Sequence, residues 1–161
     1  MSTGPLLTIW HSRTGTSEQL AQAAHQAAGA DSRLLRAEEV EPEDLLAADG
    51  YLFCCPENLA SMSGEMKEMF DRCYYPVLGK IEGRPYATVI AAGSDGEGAQ
   101  RQIDRIATGW RLKRVTDRWI VNTEAQEAEA ILAPKTAEPE ALDRARDLGT
   151  ALAEGIAQGI F

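Results

Sequence analysis

Basic runs, paired cysteines and long apolar stretches are all missing from this 161-residue sequence, and each absence removes a class of function. Lys and Arg number 16 against 25 Asp and Glu, a formal charge of -9, and the cations form no cluster. Such a surface repels nucleic acid and anionic membrane, so neither is expected as a partner. No window approaches the roughly 18 apolar residues of a membrane span, and Met-Ser-Thr-Gly-Pro at the start lacks a basic region followed by an apolar one. The expected location is cytoplasmic. Cys54, Cys55 and Cys73 are odd in number and form no C-x-x-C. They read as reduced core residues rather than as a disulfide framework or a metal site.

What is present is a steady exchange of short apolar runs and amphipathic segments. Leu6 onward is an apolar run, followed by Leu20, Ala24, Ala27 and Ala28 at helical spacing, with Gly29 as the stop. Arg33 to Ala37 reads as a short strand, and Glu41-Pro42 opens a brief helix that stops at Asp49-Gly50. Tyr51 to Cys55 has no polar face, which predicts a central strand covered on both sides and ended by Pro56. Met66, Met69, Phe70 and Cys73 mark the core stripe of the next helix. Tyr86 to Ala92 is a second wholly apolar strand, followed by a helix carrying Ala99, Ile103, Ile106, Ala107 and Trp110. Arg118 to Asn122 reads as the last strand and Leu142, Ala145, Leu148, Leu152 and Ile156 as the last helix. Between them Thr123 to Glu140, acidic and Ala-rich with Pro134 and Pro139, reads as a mostly irregular connection and a candidate partner contact. The alternation specifies one α/β domain over 1–161 with a parallel sheet and helices on both faces. Ligands in such sheets sit outside the carboxyl ends of the strands. The loops after the first, third and fourth strands are therefore candidates for one shared site.

The first of these loops carries the most chemistry. Ser12, Thr14, Thr16 and Ser17 offer four hydroxyls around Gly15, which permits close backbone approach, and the helix that follows points its free N–H groups back at them. That is an anion cradle; the same hydroxyls also suit a helix cap. The net negative charge, if dispersed, is screened beyond about 8 Å at physiological salt, so local donors decide. Other readings of such a sheet fail on their essential residues. A receiver domain needs acids closing the first and third strands and a lysine closing the last, where this chain has His11-Ser12, Cys55-Pro56 and Asn122. A low-molecular-weight phosphatase needs Cys followed six residues later by Arg, but Ala60 and Ser61 stand there. No G-x-x-x-x-G-K occurs, and no G-x-G-x-x-G follows the first strand.

Ser12-Arg13-Thr14-Gly15-Thr16-Ser17 resembles the phosphate loop of the flavodoxin-like superfamily. Pro56-Glu57-Asn58 with Met62-Ser63-Gly64 and Phe70-Asp71-Arg72 is similar to the second loop and helix of its NAD(P)H-dependent FMN reductase and quinone reductase branch. The likeness spans roughly Leu6 to Ile156. It implies a three-layer α/β/α sandwich with a five-stranded parallel sheet of order 2-1-3-4-5, and it implies FMN as cofactor. The phosphate would sit on Ser12 to Ser17. The ring would be flanked by Pro56, Glu57, Asn58, Leu59, Ala60, Ser61 and Met62, and by Gly93, Ser94, Asp95, Gly96 and Gly98. Backbone N–H groups, Asn58 and Ser61 are the expected partners of the ring edge. Glu57, Asp95 and Glu97, if close, would lower the flavin potential by repulsion; otherwise they face solvent.

Electron-carrier flavodoxins sandwich the ring between aromatics, whereas 56–64 and 93–98 contain none. An uncovered ring admits a nicotinamide and then an acceptor. The resemblance thus implies an oxidoreductase that moves reducing equivalents from NAD(P)H to a quinone, flavin or similar acceptor. Alternatives are a flavodoxin-type electron carrier serving a redox partner protein, and a flavin-free regulatory or scaffold relative. Homodimers or homotetramers are common in that branch. Hydride transfer needs positioning rather than a protein acid or base, so no catalytic residue and no metal ligand is assigned. His11 and Trp10 are read as structural, and Arg13 as pointing to solvent.

Overall fold

The computed structural model describes residues 6–161. Strand β1 (Leu6–Trp10) leads into helix α1 (Thr16–Ala28), then β2 (Ser32–Arg36), a 3₁₀ turn (Ala37–Glu39) and α2 (Pro42–Ala47). The long strand β3 (Gly50–Asn58) turns back into β4 (Ser61–Met62) before α3 (Gly64–Val77). There follow β5 (Pro85–Ala92), α4 (Glu97–Gly109), β6 (Lys113–Arg114), β7 (Trp119–Asn122), α5 (Ala128–Leu132) and α6 (Pro139–Gln158). No described helix is long and apolar enough to cross a membrane.

The main sheet is parallel, with β2, β1, β3 and β5 side by side. The expected fifth strand arrives in two pieces on the outer edge of β5. Strand β6 pairs with Pro85 and Tyr86 at its start, and β7 pairs with Val89 to Ala92 at its end. Spatially this is the 2-1-3-4-5 arrangement with the last strand interrupted.

Residues along β3 alternate between two cores, as a period of two requires. Tyr51, Phe53 and Cys55 pack with α3 and α4, while Leu52 and Cys54 pack with α1 and α6. All five are fully buried, which is why the run has no polar face. The face toward α3 and α4 is aromatic-rich: Phe70 packs on both Phe53 and Trp110, and Tyr74 stacks on Trp110 at 5.6 Å. The opposite face is built from small residues. Ala21, Ala23 and Ala24 let α1 lie close to α6, where a Cβ on Gly149 would stand 2.0 Å from the Ala24 carbonyl oxygen. Cys54, Cys55 and Cys73 are free thiols within these cores.

Three details depart from the sequence reading. Strand β3 does not end at Pro56 but continues to Asn58. Backbone groups of alternate residues face alternate neighbours. The Cys54 carbonyl accepts from His11 at 3.0 Å, so Pro56 also faces the β1 side. Strand β1 has ended there, and the missing N–H deprives no ladder of a donor. Next, 56–64 is not a plain loop: Glu57 pairs with Met62 and Asn58 with Ser61 in a tight hairpin. Finally, the connection from 123 to 140 contains the short helix α5.

Candidate functional site

The carboxyl ends of β1, β3 and β5 open into one cleft. Its floor is the turn from β1 into α1. The Ser12 hydroxyl accepts from the Gly15 N–H at 3.0 Å, closing a tight loop, and Gly15 sits at φ 116°. An L side chain rarely takes that conformation, and a Cβ would also meet Gln19 and the Lys135 carbonyl at 3.1 Å. Thr16 and Ser17 begin α1 and are 4 % and 2 % exposed. The Ser17 hydroxyl lines the cleft yet has no hydrogen-bond partner within the protein. The first amides of α1 are likewise free by the geometry of a helix start.

The structure brings Ser12, Arg13, Thr14, Thr16 and Ser17 together with Pro56, Glu57, Asn58 and Gly93 around this cleft. Gly15 faces an adjoining shallow depression with Leu132 and Pro134. Other predicted residues serve the frame instead. Met62 is buried in the core. The Ser61 hydroxyl is within 3.2 Å of Gln102 Oε1, and the Met62 N–H donates to that same oxygen at 2.8 Å. Ser94 gives its carbonyl to Asn122, and Asp95 accepts from the Glu97 N–H. Gly98 packs so tightly that a Cβ would lie 2.1 Å from the Ala60 carbonyl oxygen.

Glu57 lines the cleft and is half-buried rather than turned fully to solvent. Its carboxylate accepts from the N–H groups of Gly96 at 2.8 Å and Ala99 at 3.1 Å, at the start of α4. The helix dipole and two charge-assisted bonds stabilise the carboxylate there. This latch ties the β3–β4 hairpin to the loop after β5. Leu59 and Ala60 at the hairpin tip have φ of 53° and 64°, and Leu59 is fully exposed. Two non-glycine residues in that region cost about 1 to 2 kcal/mol each, which the Glu57 and Gln102 bonds help to offset.

Ala91, Ala92, Thr123, Ala125, Ile131 and Lys135 complete the cleft wall and were not among the predicted residues. One signal was present: Lys135 is the single cation between 123 and 140. The connection is fastened to the first loop. The Lys135 N–H donates to the Thr14 carbonyl at 2.8 Å, Gln19 Nε2 donates to the carbonyls of Gly15 and Lys135, both at 2.9 Å, and Ala137 N–H donates to Gln19 Oε1 at 2.9 Å.

His11 directly follows β1, its Nε2 3.4 Å from a Glu65 carboxylate oxygen and its Nδ1 buried without a partner among the described residues. Burial pushes the Cys55 thiol up to about 12, pushes the Cys73 thiol up to about 11 against the opposing pull of the Arg72 guanidinium, and raises the Cys54 thiol as well. None of the three is a nucleophile near neutral pH.

Parallel strands in this order, helices on both faces and a hydroxyl-lined turn into the first helix define a flavodoxin-like protein. The solved structures agree on the fold. A flavodoxin from the domain Archaea superposes with a TM-score of 0.77 at 15 % identity, covering 94 % of this chain and 98 % of that one. The Flv1 flavodiiron core of Synechocystis sp. PCC6803 gives 0.75 at 16 % identity, covering 98 % of this chain but 37 % of that one. Among curated sequences, a flavodoxin of Aquifex aeolicus (strain VF5) is 29 % identical over 163 residues, 96 % of this chain and 88 % of that protein. Residues 41–126 match the NADPH-dependent FMN reductase family. The chain belongs to that family of flavin-handling oxidoreductases, within the flavodoxin-like superfamily.

Proposed function

We propose that the cleft binds FMN, phosphate inward on Ser12 to Ser17, and that the protein passes reducing equivalents from NAD(P)H to a quinone, free flavin or similar acceptor. The observation that carries this is the Ser17 hydroxyl, 2 % exposed, lining the cleft and without a partner. A buried hydroxyl left unsatisfied costs roughly 1 to 3 kcal/mol, a penalty that a bound phosphate oxygen removes. Ser12, already engaged with the Gly15 N–H, holds the turn open for the helix-start amides to reach the same anion.

FMN, when bound, supplies the two-electron redox chemistry. The chain's part is to hold and orient. Pro56 to Asn58 and Gly93 line the space above the phosphate turn, and the Glu57 latch keeps these two walls at a fixed separation. Asn58 is the side-chain amide in reach of the ring edge, because the Ser61 hydroxyl is turned toward Gln102. Among the described residues lining the cleft none is aromatic. An exposed ring face favours direct approach of a nicotinamide, where positioning supplies most of the rate.

The test is consumption of NADH or NADPH by FMN-loaded protein with a quinone present. Oxidation dependent on both protein and FMN supports the reductase reading. Bound FMN without nicotinamide oxidation assigns the protein to electron carriage between partners instead, the role suggested by its Aquifex relative's name.

A further inference from the structure

The structure assigns to Lys135 the task of supplying the positive charge that selects a phosphorylated flavin over the unphosphorylated one. This inference rests on the FMN reading above and concerns a residue outside the hydroxyl loop. Two cations line the cleft, Arg13 and Lys135. Arg13 is exposed, whereas Lys135 is half-buried.

Lys135 is held at the loop by its own backbone. Its N–H donates to Thr14 and its carbonyl accepts from Gln19, 116 residues earlier, so both peptide groups of this one residue are tied to the phosphate turn or the first turn of α1. A lysine serving only to terminate α5 requires no such long-range fastening. Its ammonium donates to the carbonyls of Ala130 at 2.7 Å, Ala133 at 2.7 Å and Ile131 at 3.2 Å. These neutral acceptors, at the C-terminal end of α5, fix the group in place and offset only part of its charge, and no carboxylate pairs with it among the described residues. The cleft's own acid, Glu57, is committed to the start of α4. The outcome is a cation without a carboxylate partner on a residue that lines the same cleft as a buried, unpartnered hydroxyl, in a chain of net charge -9. A dianionic monoester takes the place of the missing counter-charge, with the long Ile131 bond the one most readily exchanged for a phosphate oxygen.

Flavin fluorescence titrations with FMN and with riboflavin, on wild type, Lys135→Gln and Lys135→Arg, decide the matter. Lys135→Gln is expected to weaken FMN about tenfold or more while leaving riboflavin unchanged, because a charge-assisted contact is lost only where a phosphate is present. Lys135→Arg, which keeps the charge, retains FMN preference. An unchanged FMN affinity in Lys135→Gln overturns the inference. So does an equal fall for both ligands, which would make the lysine a structural cap of α5. A wild-type chain that binds neither ligand instead removes the flavin reading on which the inference stands.

Discussion

Gly15 is the residue at which backbone geometry meets the proposed phosphate site. Its φ of 116° lets the turn fold back so that its N–H reaches the Ser12 hydroxyl, and any side chain there enters space bounded by Gln19 and Lys135. Gly15→Asp adds both strain and a carboxylate to an anion site. The expected outcome is loss of FMN retention with far-UV circular dichroism preserved; unaltered FMN affinity would place the phosphate elsewhere. The hydroxyl pattern of this loop was readable because a turn from a strand into a helix depends on local residue types. Glu57 was not, since a carboxylate in a loop says nothing of the helix 39 residues later whose amides it accepts. Lys135 was missed for the same reason, its role being set by hydrogen bonds to residues near the other end of the chain.

Elements with a strong apolar signature were legible, as were β2, α2 and β7, whereas β6, the hairpin and α5 were not. Strands β3 and β5 announce themselves because both faces are covered, so burial demands continuous apolar residues. Strand β6 is Lys113–Arg114, and nothing in that pair suggests a sheet. Arg114 earns its position through partners rather than burial: it ion-pairs with Asp104, reaches the Thr88 hydroxyl at 3.0 Å, and lies over the Tyr86 ring at 5.0 Å. The hairpin escaped because its tip is Leu59-Ala60, where the turn's positive φ values ordinarily call for Asn-Gly. At the α1–α6 contact the reverse holds, and one absent methyl sets the packing distance. Gly149→Ala would drive its Cβ into the Ala24 backbone, forcing α1 and its phosphate turn outward. Stability should fall by about 1 to 3 kcal/mol, measured by urea unfolding, with FMN affinity falling in parallel. Gly64→Ala, at the start of α3 with open space around it, is the control and should be neutral or stabilising by up to about 1 kcal/mol. Equal effects at both positions would show that close approach does not govern the α1–α6 contact.

For the molecule as a whole, three buried thiols couple stability to alkaline pH. Their folded-state values lie above the unfolded value of about 8.5, because burial disfavours the thiolate. Their contribution is therefore complete below about pH 8.5 and is lost as pH rises, since the unfolded chain releases protons that the folded chain keeps. Each thiol should lower unfolding free energy by up to about 1.4 kcal/mol per pH unit above that point. Urea midpoints for wild type and a Cys54→Ala/Cys55→Ala/Cys73→Ala variant, compared between about pH 8 and pH 10, should diverge in slope, the variant being flatter. Parallel slopes would mean that the thiols ionise in the native state.

The same whole-molecule view places the hydroxyl turn, the latched hairpin and the fastened connection around one cleft at the carboxyl edge of the sheet. Its most direct test is titration of the flavin-free protein with FMN, followed by flavin fluorescence and visible absorption. Saturation at one FMN per chain, with the flavin spectrum perturbed and Gly15→Asp failing to bind, is the predicted result. A flavin signal that the folded wild-type protein leaves unchanged throughout the titration would contradict the account.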